Sequence, residues 1–202
     1  LSLEFRRVLF RSTSGNVMRL AAEELEASDL VTVVDSANLS TGIGLLVIEA
    51  AIMAEKGQSA AEIAATIESL KPNVRASFVV DTLTYLYRGG RCNAVSAMAG
   101  GVLRLHPKIV VENGAMDASK KYRGKINSVI MSYVKDMEED LKSARPERVF
   151  ITHSGCDRTT VDAVRSYLES LGIFHEILET RAGGVVSSHC GPGTLGVLFI
   201  AK

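Results

Sequence analysis

Residues 31–57 read VTVVDSANLSTGIGLLVIEAAIMAEKG. Val31 to Val34 form a short β-branched run, the composition of a buried strand, and the run ends at Asp35-Ser36. Gly42 and Gly44 then open a long apolar helix over about 44–56, which Gly57 stops. A strand that passes through small hydroxyl residues and glycines into a helix is the building unit of an α/β protein.

Outward from that stretch the alternation continues. Upstream, Val17, Leu20, Ala21 and Leu25 have helical spacing over 17–27. Residues 1–12, LSLEFRRVLFRS, show no cap and no clear period. They lack a signal peptide's long apolar core and cleavage site, and are expected to be a non-native junction. Downstream, 59–70 reads as a helix with Ser59 as N-cap and Glu62 completing a capping box, ended by Pro72. Further strands are expected at 77–80, 149–153, 174–179 and 195–201. Further helices are expected at 83–87, 92–105 (with Pro107 as its break), 125–141 and 159–171. Asn113-Gly114 reads as the tight turn of a hairpin that starts at Lys108. The pattern predicts an α/β fold of two domains, 1–74 and 75–202. The boundary lies near Arg75 because βα-like helices precede it and a hairpin follows.

Bulk properties narrow the function. The chain has 202 residues, 47% of them hydrophobic, and a formal net charge of zero. Balanced charge offers no electrostatic case for nucleic acid or an anionic membrane. No apolar run reaches the ~18 residues of a bilayer span. Cys92, Cys156 and Cys190 form no CxxC pair, so neither a disulfide framework nor a zinc site is expected, and a cytoplasmic location suits them. HExxH and GxSxG are absent, which removes the standard hydrolase and zinc signatures.

Four clusters carry chemistry, each with a plainer alternative. Asp35, Ser36, Ser40, Thr41, Gly42 and Gly44 place hydroxyls and free N–H groups where a helix dipole favours an anion, or simply cap the helix. Arg88-Gly89-Gly90-Arg91 is either a tight turn presenting an arginine fork to a carboxylate or phosphate, or a glycine cap with a solvated arginine. Lys120, Lys121, Arg123 and Lys125, around Tyr122 and Gly124, make a phosphate-facing patch or a solvated face. His189-Cys190-Gly191-Pro192-Gly193 holds a histidine stiffly beside backbone amides, for an acid, base or carboxylate contact or a structural one. Cys190 and His189 are a poor nucleophilic pair, because catalytic partners are normally distant in sequence.

Together these clusters resemble the DegV family. The matching segments are TSGN (13–16), DSANLSTGIGLLVIEAA (35–51), DTLTYLYRGGR (81–91), KIVVENGAM (108–116) and SSHCGPGTLGVLF (187–199). The resemblance implies two α/β domains, here an incomplete parallel-sheet N-terminal domain and an α+β C-terminal domain. It implies a long-chain fatty acid in a tunnel between them. It also implies a carrier role in the bacterial cytoplasm: a separate ATP-dependent kinase phosphorylates the bound carboxylate for phospholipid synthesis, and this chain alone is not an enzyme. It places Arg91, Arg123, His189, Ser40 and Gly90 around the carboxylate or its phosphate, with no cofactor and no metal. The Thr-Ser-Gln-Pro-Ser motif of the family is missing, and Arg11-Ser12 stands where a double serine is usual, so an N-terminally truncated member is expected. The alternative is a small-molecule kinase or transferase domain whose glycine-rich loops cradle phosphate.

Overall fold

The computed structural model describes residues 2–7, 14–90 and 105–202. The chain divides into two compact units. The first is Leu1–Val74 with Glu112–Ala115, and the second is Arg75–Val111 with Met116–Lys202.

The first unit holds β1 (Ser2–Arg7), α1 (Ser14–Glu24), β2 (Val31–Asn38), α2 (Ser40–Glu55) and α3 (Ala60–Leu70). The two strands pair in parallel, Phe5 opposite Val34, with a register shift before Arg7 meets Asn38. No element was expected at residues 1–12. Strand pairing is a backbone property, and β2 offers a row of N–H and C=O groups to any extended neighbour. The α3 cap is as expected: the Ser59 N–H donates to Glu62 Oε2 at 2.8 Å, and the Glu62 N–H donates to Ser59 Oγ at 3.3 Å. Helix α2 starts a turn earlier than Gly44. Leu39 is extended at its N-cap, and the Gly42 N–H already bonds the Leu39 carbonyl at 2.9 Å.

The second unit is built on a six-stranded mixed sheet. Its elements are β3 (Val74–Val79), α4 (Thr84–Arg88), β4 (Leu105–Glu112), β5 (Ala115–Arg123), α5 (Ile126–Asp136), α6 (Glu138–Lys142), β6 (Ala144–Ser154), α7 (Arg158–Ser170), β7 (Glu176–Arg181), α8 (Gly184–Cys190) and β8 (Thr194–Ala201). The strand order is β5-β4-β3-β8-β6-β7. β6 runs parallel to β7 and antiparallel to β8.

The helix expected at 92–105 lies outside the described residues save Leu105, which opens β4. Three further expectations are corrected. Pro107 sits inside β4 rather than ending a helix. Its carbonyl still accepts from the Val80 N–H at 3.4 Å, and the paired register with β3 starts at Lys108, so the proline costs that ladder only its terminal N–H. The single helix at 125–141 is two, α5 and α6, which meet at Met137, and Met137 and Leu141 are both buried. The strand expected at 174–179 is β7, two residues later. The segment before the Gly-Pro-Gly turn is the short helix α8.

One face of the sheet packs on α5 and α7. Val149, Ile151, Val197 and Phe199 meet Tyr133, Val134, Val164 and Leu168 there, all fully buried. Tyr133 also carries a polar tie. Its hydroxyl accepts from the Val197 N–H at 3.0 Å and donates to the Ser77 carbonyl at 2.8 Å, bridging β8 and β3. Burial pushes this phenol up to about 12. The other face is apolar as well. Register places Phe78 beside Ile109 and Phe150 beside Leu198, and each of the four is buried.

Candidate functional site

In the first unit the candidate residues lie on the β2–α2 connection, where three short-range bonds shape the turn. The Ala37 N–H donates to Asp35 Oδ1 at 3.1 Å, the Asn38 N–H to Ser36 Oγ at 3.2 Å, and the Leu39 N–H to Asn38 Oδ1 at 3.0 Å. These are the short-range side-chain bonds by which Asp, Ser and Asn shape turns. Ala37 and Ser40 both have φ of 49°, left-handed backbone in residues that carry a Cβ. Such strain costs roughly 1–2 kcal/mol per residue and tends to gather at functional sites. Gly42 admits Asn38, since a Cβ on Gly42 would lie 2.0 Å from Asn38 Oδ1. Ser40 is half-buried at the helix start.

In the second unit, two segments that the sequence flagged separately come together where α4 packs on α8. The His189 ring lies against Gly89: a Cβ there would come within 2.0 Å of His189 Nδ1. Reciprocally, the Tyr85 ring lies against Gly191, whose missing Cβ would sit 2.3 Å from Tyr85 Cδ2. Gly191 has φ of 81° and ψ of 170°, a backbone region open essentially to glycine alone. The Gly-Pro-Gly loop is fastened to the end of the apolar sheet face. Ser154 Oγ donates to the Gly191 carbonyl, and the Gly193 N–H donates to the Ser154 carbonyl at 3.0 Å. Thr194 Oγ1 donates to the Cys190 carbonyl at 2.9 Å. The apolar face therefore ends in a stiff loop, a half-buried histidine and a tyrosine.

Neither described thiol is poised for chemistry. Burial pushes Cys190 up to about 12 and Cys156 up to about 11, which favours the protonated form near neutral pH. That counts against a Cys190 nucleophile.

The basic cluster divides by strand alternation. Lys120 and Tyr122 share one face of β5 and both meet Asp136, Lys120 Nζ at 2.5 Å and the Tyr122 hydroxyl at 2.9 Å. Lys120 is thus spent on a structural pair. Lys121 and Arg123 point the other way and are exposed. Gly90 is exposed with φ of 67°, and Arg88 is exposed at the end of α4. Arg91 lies outside the described residues.

His106 and His153 each gain a carboxylate neighbour from the tertiary structure. His153 Nδ1 accepts from the Cys156 N–H at 3.3 Å, and its Nε2 lies 3.4 Å from Glu179 Oε1. His106 Nδ1 lies 3.5 Å from Asp81 Oδ1. Neither partner stands in a spacing that a motif would reveal. Among the described residues no group of three or more His, Cys, Asp or Glu is placed to hold a metal ion. No described helix is long and apolar enough to cross a membrane.

Comparison with known proteins matches this architecture. The family model described as "Uncharacterised protein, DegV family" matches residues 10–202. A DegV domain-containing protein of Deinococcus radiodurans is 36% identical over 188 residues, covering 91% of this chain and 65% of that protein. The chain thus spans about two thirds of that relative's length. Among solved structures, "Fatty Acid Binding of a DegV family Protein from Thermus thermophilus" superposes with a TM-score of 0.83 at 31% identity, over 95% of this chain and 67% of that one. A "degv lipid binding protein" of Thermotoga maritima gives a TM-score of 0.81 at 25% identity, over 98% of this chain and 67% of that one. The matched residues and the shared fold show that this chain belongs to the DegV family.

Proposed function

We propose that this chain binds a long-chain fatty acid and presents its carboxylate to a separate ATP-dependent kinase, which makes the acyl phosphate. The carrying observation is the end of the second unit's sheet. An apolar face built by Phe78, Ile109, Phe150 and Leu198 terminates at the Ser154-anchored Gly-Pro-Gly loop, beside His189. A fatty acid needs apolar surface along its tail and a few placed polar groups at one end. Its carboxylate must find donors if water is withdrawn from it. The fatty acid binding of the 31% identical Thermus protein supports the same ligand here.

His189 serves as a donor toward the carboxylate in this reading, and Gly90 lets the chain turn near it. Ser40 is a further hydroxyl proposed for ligand contact. Arg91 and the exposed Arg123 face the phosphate or the kinase, where a guanidinium fork suits a planar or tetrahedral anion. The chain supplies binding and orientation, and the kinase supplies ATP.

The test is to purify the chain from bacteria, denature it, extract it with organic solvent and run mass spectrometry. A stoichiometric fatty acid is expected. Stoichiometric nucleotide without lipid would overturn the carrier reading and favour a phosphate-transferring enzyme with glycine-rich nucleotide loops.

A further inference from the structure

His106 stands at the second position of β4, with its side chain only 6% exposed. Its Nε2 lies 3.0 Å from the Gly124 carbonyl oxygen. A carbonyl only accepts, so Nε2 carries the hydrogen and donates. The other ring nitrogen faces Asp81 Oδ1 at 3.5 Å. Gly124 has φ of 139° and separates Arg123, the last residue of β5, from Lys125, the N-cap of α5. Its carbonyl lies between β5 and α5, and the His106 ring meets it there. Asp81 in turn borders the Gly-Pro-Gly loop. A Cβ on Gly193 would lie 3.8 Å from Asp81 Cβ and 4.0 Å from Ile126 Cγ1. The imidazole thereby ties the start of β4 to the turn that follows β5, with the Asp81 carboxylate 3.5 Å from its other nitrogen.

We propose that His106 is a positioning residue for Arg123: by donating to the Gly124 carbonyl, it fixes the place from which Arg123 presents its guanidinium to a phosphate-bearing head group. This rests on the fatty-acid reading above and adds to it a selective role toward the phosphorylated head. An arginine on a loose turn must be ordered each time an anion binds, and that ordering subtracts from affinity. A turn clamped through a planar, nearly rigid ring is ordered beforehand. The neighbouring Lys120 does not substitute, because Asp136 already holds it.

The experiment uses the full chain and two probes, laurate and dodecyl phosphate, titrated by calorimetry into wild type, His106→Leu, His106→Gln, Arg123→Ala and the His106→Leu/Arg123→Ala double variant. The expected result is selective. His106→Leu weakens dodecyl phosphate about fivefold, the scale of one lost hydrogen bond, and shifts laurate less than about twofold. His106→Gln, whose amide also donates to the Gly124 carbonyl, restores most of the loss. In the Arg123→Ala background His106→Leu adds nothing, the signature of two residues acting as one unit. Equal weakening of both probes, or additive losses in the double variant, would overturn the positioning role while leaving the fatty-acid reading in place. Failure of wild type to bind either probe would instead overturn that reading. If His106→Leu does not fold, His106→Asn, whose amide is too short to reach the Gly124 carbonyl, is measured with the same probes. About fivefold selective weakening of dodecyl phosphate is then expected, and no selectivity overturns the proposal.

Discussion

The two strand-end connections of this protein are built by opposite means. In the first unit, the β2–α2 connection carries bonds among its own residues: Asp35, Ser36 and Asn38 each bond a backbone N–H one or two positions away. In the second unit, the connections around the Gly-Pro-Gly loop are made by residues remote in sequence. Gly89 receives His189, Gly191 receives Tyr85, and His106 receives the Gly124 carbonyl. The first turn is held by hydrogen bonds and stores strain at Ala37 and Ser40. The second is held by close packing that only missing Cβ atoms permit. A local turn tolerates change when its few bonds can be remade, whereas a packed meeting of two helices fails when either surface grows.

The largest test of that contrast pairs two glycines. Gly191→Ala places a methyl against the Tyr85 ring and forces an alanine into a glycine-only backbone region. Strain of ~1–3 kcal/mol and overpacking of ~1–3 kcal/mol add to roughly 3 kcal/mol or more. In a chain of this size that lowers Tm by about 6–12 °C. Gly42→Ala displaces only the Asn38 amide, and the loss of one turn bond is offset by alanine's helix preference, leaving about 1 kcal/mol or less. Urea and thermal melts of both variants, followed by circular dichroism, check the pair. Equal losses would break the comparison.

Tyr133→Phe sharpens it in the core. The change keeps the ring and removes the oxygen between β3 and β8, leaving the Val197 N–H and the Ser77 carbonyl without that partner in a dry interior. A loss of about 1–3 kcal/mol is expected, visible as a lower urea midpoint with an unchanged slope. No measurable loss would mean that the strands close directly on each other.

Asp136→Asn has the smallest effect and separates distance in sequence from burial. The bond from Lys120 holds the Asp136 carboxyl below its ordinary value of 3.8. A carboxylate depressed in the folded state stabilises it above the unfolded value, near pH 4, and that contribution is lost as pH falls through the lower folded value. The partners are 54% and 38% exposed, so solvent screening limits the difference to under about 1 kcal/mol at neutral pH. Wild type and variant are expected to converge in acid. A gap that widens as pH falls would reverse the sign of this pair.

Much of this was legible from order along the chain. The βα unit at 31–57, the Ser59–Glu62 box and the hairpin at Asn113-Gly114 each depend on residues a few positions apart, and sequence spacing reports those directly. The elements that differ from the sequence pattern share a cause. A proline after an apolar run reads locally as a breaker, and nothing local shows that Pro107 sits where the β3–β4 ladder ends. The apolar period of 125–141 runs unbroken through Met137 and Leu141, so the spacing carries no mark of the division into α5 and α6.

The sequence by itself determined the α/β class, the left-handed turn chemistry of Asn113-Gly114 and the presence of glycine- and arginine-bearing segments, since propensity, capping and period act over one or two turns of chain. Only the tertiary structure decided which of those segments meet. It set His189 on Gly89, gave Lys120 to Asp136 and left Arg123 exposed, and it placed His106 between Asp81 and the Gly124 carbonyl. The physical reason is that strand order and helix packing bring remote residues within a few ångströms, and contact energies at that range depend on shape, burial and hydrogen-bond direction, which no spacing along the chain encodes.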